Sequence, residues 1–268
     1  MSFEPTAAQL LETVLASPRA VSAHDRDAWT RLFSSDAVVN DPVGSTPHTG
    51  RDAIERFYNT FIAPNDIVFD VTHDFAEPAT IVRDLAITIT MPSGARVRVP
   101  MHLRYELTEE NGALRIGHLA AYWELLPMVG RLLRNGLSGM RAGTTLGALL
   151  LRNQGIAGLV GMARAGTGIG KTGKHIVGRL CTAAAAGDTT TVDELTGRDA
   201  VRLWSGSAVT STELTTRARG WQQGKTLAAG RTVTVSVNSP TGPALLIIDF
   251  HPAQPVIETL RVYTQLAS

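Results

Sequence analysis

The chain of 268 residues contains a single cysteine, Cys181, and carries a net charge of only +1. A single cysteine excludes an intrachain disulfide and fits a reducing compartment, so we expect a cytoplasmic protein. Residues 1–5 include no basic region followed by an apolar run, which predicts that there is no signal peptide. The near-zero charge argues against bulk attraction to nucleic acid, and the composition is typical of a globular protein.

The signatures of several enzyme classes are missing as well. The seven histidines form no i, i+4 or HxH pair with a carboxylate at ligand spacing, so no metal site is predicted. There is no G-x-S-x-G elbow and no glycine-rich dinucleotide fingerprint after a strand. The sequence therefore predicts no cofactor.

Acidic residues are absent between Glu124 and Asp188, although the whole chain is nearly neutral. The basic residues of this stretch give it a local net charge of +8: Arg131, Arg134, Arg141, Arg152, Arg164, Lys171, Lys174 and Arg179. Leucine and methionine recur between glycines, which predicts two or three amphipathic helices in a connector at 126–173. We expect these helices to pack across two domains or to cover a pocket, and peripheral contact with an anionic membrane surface is the alternative. A transmembrane span is not expected, because an arginine interrupts every candidate run of about twenty residues.

One carboxylate stands at the end of an apolar run. Asp41 follows Val38 and Val39 and precedes Pro42 and Val43. Proline disfavours helical backbone at the residue before it, so Asp41 ends a strand or opens a turn. The aliphatic surroundings raise a carboxyl pKa by desolvating the charged form, as a general base that works near neutral pH requires. The alternative is an Asx-turn residue that bonds its own loop.

Four motifs follow one another around Asp41: His24-Asp25-Arg26-Asp27-Ala28-Trp29, Asn40-Asp41-Pro42-Val43-Gly44, Thr49-Gly50-Arg51-Asp52-Ala53-Ile54 and Phe57-Tyr58. In this order and spacing they resemble the ketosteroid isomerase branch of the SnoaL-like, nuclear-transport-factor-2-like (NTF2-like) superfamily. The resemblance covers about residues 8–125. It implies that Asp41 is the base that moves a proton on a steroid, that Tyr58 belongs to a hydrogen-bond network and that Trp123 is a pocket aromatic.

The family's oxyanion hole uses a tyrosine on the first helix and a protonated aspartic acid on a later strand. The corresponding positions here are Ser17 and Met101, so both donors are missing on this alignment. His102 or Tyr58 would substitute only if the strand register slipped by one residue. The predicted site consists of catalytic Asp41 and Tyr58 and of substrate-binding Phe57, Met101, Leu103 and Trp123.

The pattern of the first half predicts an α+β fold. Helical periodicity at 7–15 and 27–33 precedes strand-like runs at 37–40, 67–72, 80–90, 96–107 and 114–124. Helices followed by a long antiparallel meander would make a cone with a pocket inside.

A shortened version of this pattern returns after the connector. It comprises helices at 175–186, 191–195 and 212–223, a strand at 200–204, and strands at 232–237, 244–250 and 256–266. We therefore predict two NTF2-like cone-shaped domains, at 1–125 and 174–268, joined by the helical connector at 126–173. Aligning the two copies puts Trp204 at the position of Asp41, so the second copy lacks the base.

These observations predict a ketosteroid-isomerase-like enzyme that uses Asp41 as general base on a hydrophobic polycyclic or polyketide-like small molecule. A polyketide cyclase or an epoxide hydrolase or epoxide-opening enzyme of the same fold is the first alternative, with Asp70 or Asp74 as a second carboxylate. The second alternative is a non-catalytic protein that binds lipophilic ligands. The fused copy is expected to act as a built-in partner in an intramolecular pseudo-dimer, and a homodimer of whole chains stays open.

Overall fold

Two sheets with helices packed against them build the protein, in a computed structural model that describes residues 5–196, 201–203 and 208–264. This arrangement confirms the α+β class predicted from the sequence. Each sheet has its own buried apolar core, and a third apolar cluster lies where the two sheets meet.

The first unit builds its sheet in the order β2-β1-β6-β5-β4-β3. Its elements are α1 (Ala7–Ser22), α2 (Arg26–Thr30), β1 (Phe33–Asn40), β2 (His48–Thr49), α3 (Arg51–Phe57), β3 (Asp66–Glu77), β4 (Thr80–Thr90), β5 (Arg96–Glu110) and β6 (Ala113–Tyr122). A π-helical turn, Tyr58–Ile62, continues α3. Strands β1 and β6 are parallel and the other neighbours are antiparallel. Bulges in β3 and β6 bend the sheet over the helices.

Helix α1 begins at a capping box in which Thr6 and Gln9 satisfy each other's backbone amides. The helix continues past Pro18 to Ser22, so the prediction that it ends near residue 15 was too short. Burial of Ala20 and Val21 in the core offsets the hydrogen bond that Pro18 cannot make.

The second unit repeats the connectivity of the first in a shorter form. Its elements are α6 (Gly170–Ala186), α7 (Thr189–Thr196), β7 (Val201–Leu203), α8 (Ser211–Ala218), β8 (Gln222–Ala229), β9 (Thr232–Ser239), β10 (Gly242–Phe250) and β11 (Ile257–Thr264). The sheet order is β7-β11-β10-β9-β8, with β7 parallel to β11. This order matches β1-β6-β5-β4-β3 of the first sheet.

Two expectations for the second unit have different outcomes. The predicted helix at 212–223 is wrong at its end, because α8 stops at Ala218 and Gln222 already belongs to β8. Gly220, with φ of 78°, turns the chain between them, a conformation that favours glycine. Trp204, which the sequence aligns with Asp41, lies outside the described residues.

Helices α4 (Leu125–Leu133) and α5 (Leu137–Arg164) join the two units. Gly155, with φ of 67° and ψ of −166°, interrupts α5 with a kink. Within the described parts of the chain, no helix is long and apolar enough to cross a membrane.

The outer faces of the two sheets pack against each other through apolar and polar side chains. The apolar part comprises Phe75, Val82, Ala120 and Tyr122 from the first sheet and Ala229, Leu245, Ile247 and Tyr263 from the second. In the polar part, Lys225 Nζ lies 2.5 Å from Asp84 Oδ1 and donates to the carbonyl oxygens of Leu85 and Met101. The two units are therefore joined through buried contacts as well as through the connector.

His102 belongs to this contact between the sheets. Its ring is fully buried, with Nδ1 2.7 Å from Thr234 Oγ1 and Nε2 2.9 Å from Ser236 Oγ. Strand β5 pairs His102 with Asp84 and Met101 with Leu85, so no one-residue slip occurs and His102 faces away from the helices. The hypothesis that His102 supplies a donor in the pocket is wrong for this reason.

Candidate active site

An apolar cavity of about 730 Å³ lies between the first sheet and its helices. Residues of α1, α2, α3, the π-helical turn and strands β3 to β6 line it, and α4 and α5 close one side. The four predicted substrate-binding residues, Phe57, Met101, Leu103 and Trp123, all line this cavity. Its size and lining are those of a pocket for an apolar small molecule.

Asp41 lies in the wall of the cavity, directly after β1 ends at Asn40. Because β1 and β6 are parallel neighbours, the residues that follow both strands meet at the same edge of the sheet. Trp123 follows β6 there, and its Nε1 donates a hydrogen bond of 2.6 Å to Asp41 Oδ1. The strand-end position expected from Pro42 is thus observed, and the hydrogen bond from Trp123 holds the carboxylate in place.

The surroundings of Asp41 change its acidity. Burial raises the pKa of the Asp41 carboxyl from 3.8 to about 6, while the hydrogen bond from Trp123 acts in the opposite direction. Asp41 is the only acidic side chain among the described residues that line the cavity. Above about pH 6 it is a carboxylate in apolar surroundings, which suits a general base.

Two hydroxyls lie in the same wall, that of Ser17 and that of Tyr105, and the sequence reasoning missed Tyr105. Tyr105 and Ser17 both line the cavity and are almost fully buried, and Trp29 Nε1 donates to Ser17 Oγ at 3.0 Å. Burial raises the pKa of the Tyr105 phenol to about 12; a hydrogen bond with Ser17 opposes this rise and the charge of Asp41 adds to it. Tyr105 therefore stays protonated at neutral pH and can donate a hydrogen bond inside the cavity. The period-two alternation of β5, which points Met101, Leu103 and Tyr105 to one face, is the signal that could have found it.

The structure does not bring Tyr58 to Asp41. Tyr58 does not line the cavity; its ring packs 5.4 Å from that of Trp29, and its buried hydroxyl has no hydrogen-bond partner among the described residues. Phe57 and Phe61 lie four positions apart on the cavity side of the helix, and Tyr58 is rotated about 100° away from Phe57. The predicted network role of Tyr58 next to the base is not realised.

The two candidates for a second carboxylate lie outside the cavity. Asp70 forms an exposed ion pair with Arg98 at 2.6 Å, and Asp74 pairs with Arg83 at 2.7 Å. Neither lines the cavity. Among the described residues, no group of three or more His, Cys, Asp or Glu side chains could hold a metal ion.

The connector covers the cavity, which is one of the two arrangements expected of it. Met128, Leu132 and Leu150 are buried and line the cavity from α4 and α5. Asn153 and Gln154 direct side-chain amides to the hydroxyl of Thr60 in the π-helical turn, at 3.1 and 3.4 Å. The two helices therefore form a lid, by which we mean residues 125–164.

The family comparison agrees with the motifs around Asp41. Residues 14–115 match the family model described as the SnoaL-like domain. This match covers most of the first unit. The resemblance drawn from the motifs is confirmed over this part of the chain, and the SnoaL-like match includes Asp41, Met101 and Tyr105.

Solved structures similar to this chain also cover about one unit of it. A Δ5-3-ketosteroid isomerase from Mycobacterium sp. is 29% identical, with a TM-score of 0.40 over 43% of this chain and 92% of that one. A Mycobacterium tuberculosis protein in complex with estradiol-17β-hemisuccinate is 27% identical, with a TM-score of 0.41 over 45% and 96%. An LEH-like epoxide hydrolase of Mycobacterium tuberculosis is 18% identical, with a TM-score of 0.42 over 52% and 98%.

Proposed function

We propose that this protein is an acid–base enzyme that moves a proton, and with it a double bond, within an apolar polycyclic or polyketide-like small molecule. The observation that carries the proposal is the position of Asp41, a carboxylate with a pKa of about 6 in the wall of a 730 Å³ apolar cavity. A carboxylate in apolar surroundings costs folding free energy, so a proton-transfer role gives a reason for its presence.

Asp41 would act on a carbon next to a carbonyl group. Its carboxylate removes a proton from that carbon, the C–H electron pair forms a new carbon–carbon double bond, and the carbonyl electrons move onto oxygen to give a dienolate. The proton then returns from Asp41 to a carbon further along the conjugated system, and the carbonyl reforms. The double bond has shifted with no net change in oxidation state.

Tyr105 is the group we assign to stabilise the dienolate oxygen. Ser17 and Met101 stand at the family's donor positions and both line the cavity, but Met101 has no O–H or N–H in its side chain. Tyr105 lies two and four positions along β5 from Leu103 and Met101, on the same face, and carries a neutral phenol. One such donor typically contributes a factor of about 10² to 10³ in rate.

Proton transfer on carbon is favoured over an epoxide mechanism with two carboxylates, because Asp70 and Asp74 form ion pairs away from the cavity. The second unit would act as a scaffold whose sheet covers the outer face of the first. A carrier protein without catalytic activity needs only the apolar walls of the cavity. Substitution of Asp41 distinguishes the two classes, because an enzyme loses turnover whereas a carrier keeps its affinity for the ligand.

The test compares the wild-type protein with Asp41→Asn on a Δ5-3-ketosteroid, the substrate class that the sequence motifs suggest. Formation of the conjugated enone is followed by its ultraviolet absorbance, and steroid affinity is followed separately by quenching of Trp29 and Trp123, which line the cavity. We expect kcat to fall by about 10² to 10⁴ while the Kd stays within a few-fold.

Asp70→Asn is the matched control, because it removes an exposed strand carboxylate and should leave kcat unchanged. Equal turnover by wild type and Asp41→Asn would contradict the role of Asp41. Binding of the steroid without turnover by wild type would favour the carrier, and neither binding nor turnover would direct the search to other carbonyl substrates.

A further inference from the structure

The outer surface of the lid is unusually apolar for an exposed helix pair. Among the described residues, all but three of the exposed large hydrophobic side chains lie on α4 and α5. Seven of them are between 49% and 75% exposed: Leu126, Leu133, Leu137, Met140, Leu151, Ile156 and Val160. Such a patch is typical of a surface that contacts another protein or a membrane.

The same surface carries positive charge that no acidic side chain neutralises. No acidic residue occurs between Glu124 and Asp188, and within the described part of the chain none of the lid arginines forms an ion pair: Arg131, Arg134, Arg141, Arg152 and Arg164. Along α5, Leu137 lies four residues before Arg141, and Leu151 and Arg152 lie ten and eleven residues after Arg141, spacings that return close to the same side of a helix. Apolar and basic side chains therefore share one exposed face.

The cavity opens through this surface. Val129, Leu133 and Met140 line the cavity and are also exposed to solvent, so its mouth lies among the exposed apolar residues of the lid. An apolar molecule that enters the cavity by this route therefore crosses the outer surface of the lid, together with any partner or membrane bound to that surface.

We propose that the outer face of α4 and α5 docks on an anionic lipid surface, and that apolar ligands enter the cavity from there. A bilayer with anionic headgroups buries the leucines and methionine and pairs the arginines at the same time. A second copy of this chain fits the same face poorly, because it would bring five unpaired arginines against five more. Docking is independent of the chemistry at Asp41, so it can be tested without turnover.

The experiment is flotation of the full-length protein with vesicles of phosphatidylcholine alone and of phosphatidylcholine with phosphatidylglycerol. We expect the protein to float with the anionic vesicles, to bind zwitterionic vesicles much more weakly, and to lose affinity as salt shortens the Debye length from about 10 Å at 0.1 M to about 3 Å at 1 M. Equal flotation with both vesicles, or none, would overturn the proposal.

Two pairs of substitutions separate the charge from the apolar contribution. Arg141→Gln with Arg152→Gln is expected to weaken binding to anionic vesicles about 25-fold, since each arginine near such a surface contributes about fivefold. Leu137→Ser with Ile156→Ser, two side chains that are each 75% exposed and do not line the cavity, is expected to weaken it tenfold or more.

The matched controls replace exposed residues away from the lid, Arg31→Gln and Val256→Ser, and should bind as the wild type does. Circular dichroism and steroid binding check that all variants are folded with an intact cavity. Unchanged vesicle binding in both lid variants would refute the surface assignment. Sedimentation that shows a dimer in the wild type and a monomer in the Leu137→Ser, Ile156→Ser variant would assign the face to a second copy instead.

Discussion

Replacing Asp41 by asparagine is expected to stabilise the protein at neutral pH, although it removes the proposed base. The folded state holds this carboxyl with a pKa of about 6 against an ordinary value of 3.8. A carboxyl whose pKa is raised by folding stabilises the fold only while it is protonated. Its contribution is fully present below about pH 4 and is lost as the pH rises through about 6.

The magnitude follows from the two pKa values. Ionised Asp41 destabilises the folded state by about 1 kcal/mol at pH 4.5 and by up to about 3 kcal/mol at pH 7.5, relative to a neutral side chain. Asparagine is neutral at both pH values and keeps an oxygen that can accept the hydrogen bond from Trp123 Nε1. The gain in stability should therefore be about three times larger at pH 7.5 than at pH 4.5.

Thermal unfolding of wild type and Asp41→Asn at the two pH values measures this difference. We expect the Tm of the variant to exceed that of wild type by about 6 °C or more at pH 7.5 and by about 2 °C at pH 4.5. Asp70→Asn, which removes one partner of an exposed ion pair, should not raise the Tm at either pH. A variant no more stable than wild type at pH 7.5, or a gain that does not depend on pH, would refute the assignment of a raised pKa to Asp41.

Three further predictions concern the proposed chemistry and the contact between the sheets. Tyr105→Phe should lower kcat by about 10² to 10³ with little change in substrate affinity, measured by steady-state kinetics, because it removes the neutral donor. The kcat/KM should fall about tenfold per pH unit below about pH 6 as Asp41 is protonated, and Trp123→Phe should move this limb to higher pH, because the hydrogen bond from Trp123 lowers the pKa. Lys225→Met should reduce the free energy of unfolding by about 3 to 5 kcal/mol, measured by urea denaturation, because it leaves Asp84 buried without its cation.

The Tyr105 and Lys225 predictions each have a matched control. Tyr122→Phe removes a buried phenol that does not line the apolar cavity and should keep kcat. Lys171→Met removes an exposed lysine and should leave the urea midpoint unchanged. A kcat unaffected by Tyr105→Phe, a pH limb unmoved by Trp123→Phe, or equal urea midpoints for the two lysine variants would each contradict the corresponding assignment.

Local sequence was sufficient to predict most of the fold. Apolar runs and alternation predicted most strands of the two sheets but not β2 or β8, and the motifs on either side of Asp41 predicted the resemblance to the SnoaL-like domain. These features depend on neighbours along the chain, through backbone restriction before Pro42 and the periods of helix and strand. Two element ends were also predicted wrongly, near Pro18 and near Gln222, where burial and a glycine turn outweigh the local pattern.

The sequence by itself determined that a carboxylate ends the first strand in apolar surroundings, because Asp41 and its valines are adjacent in the chain. Only the tertiary structure decided which groups surround it, because those contacts join residues far apart in sequence. The parallel pairing of β1 with β6 brings Trp123 to Asp41. The register of β5 points Tyr105 into the cavity and His102 into the contact between the sheets, where the second unit supplies its partners.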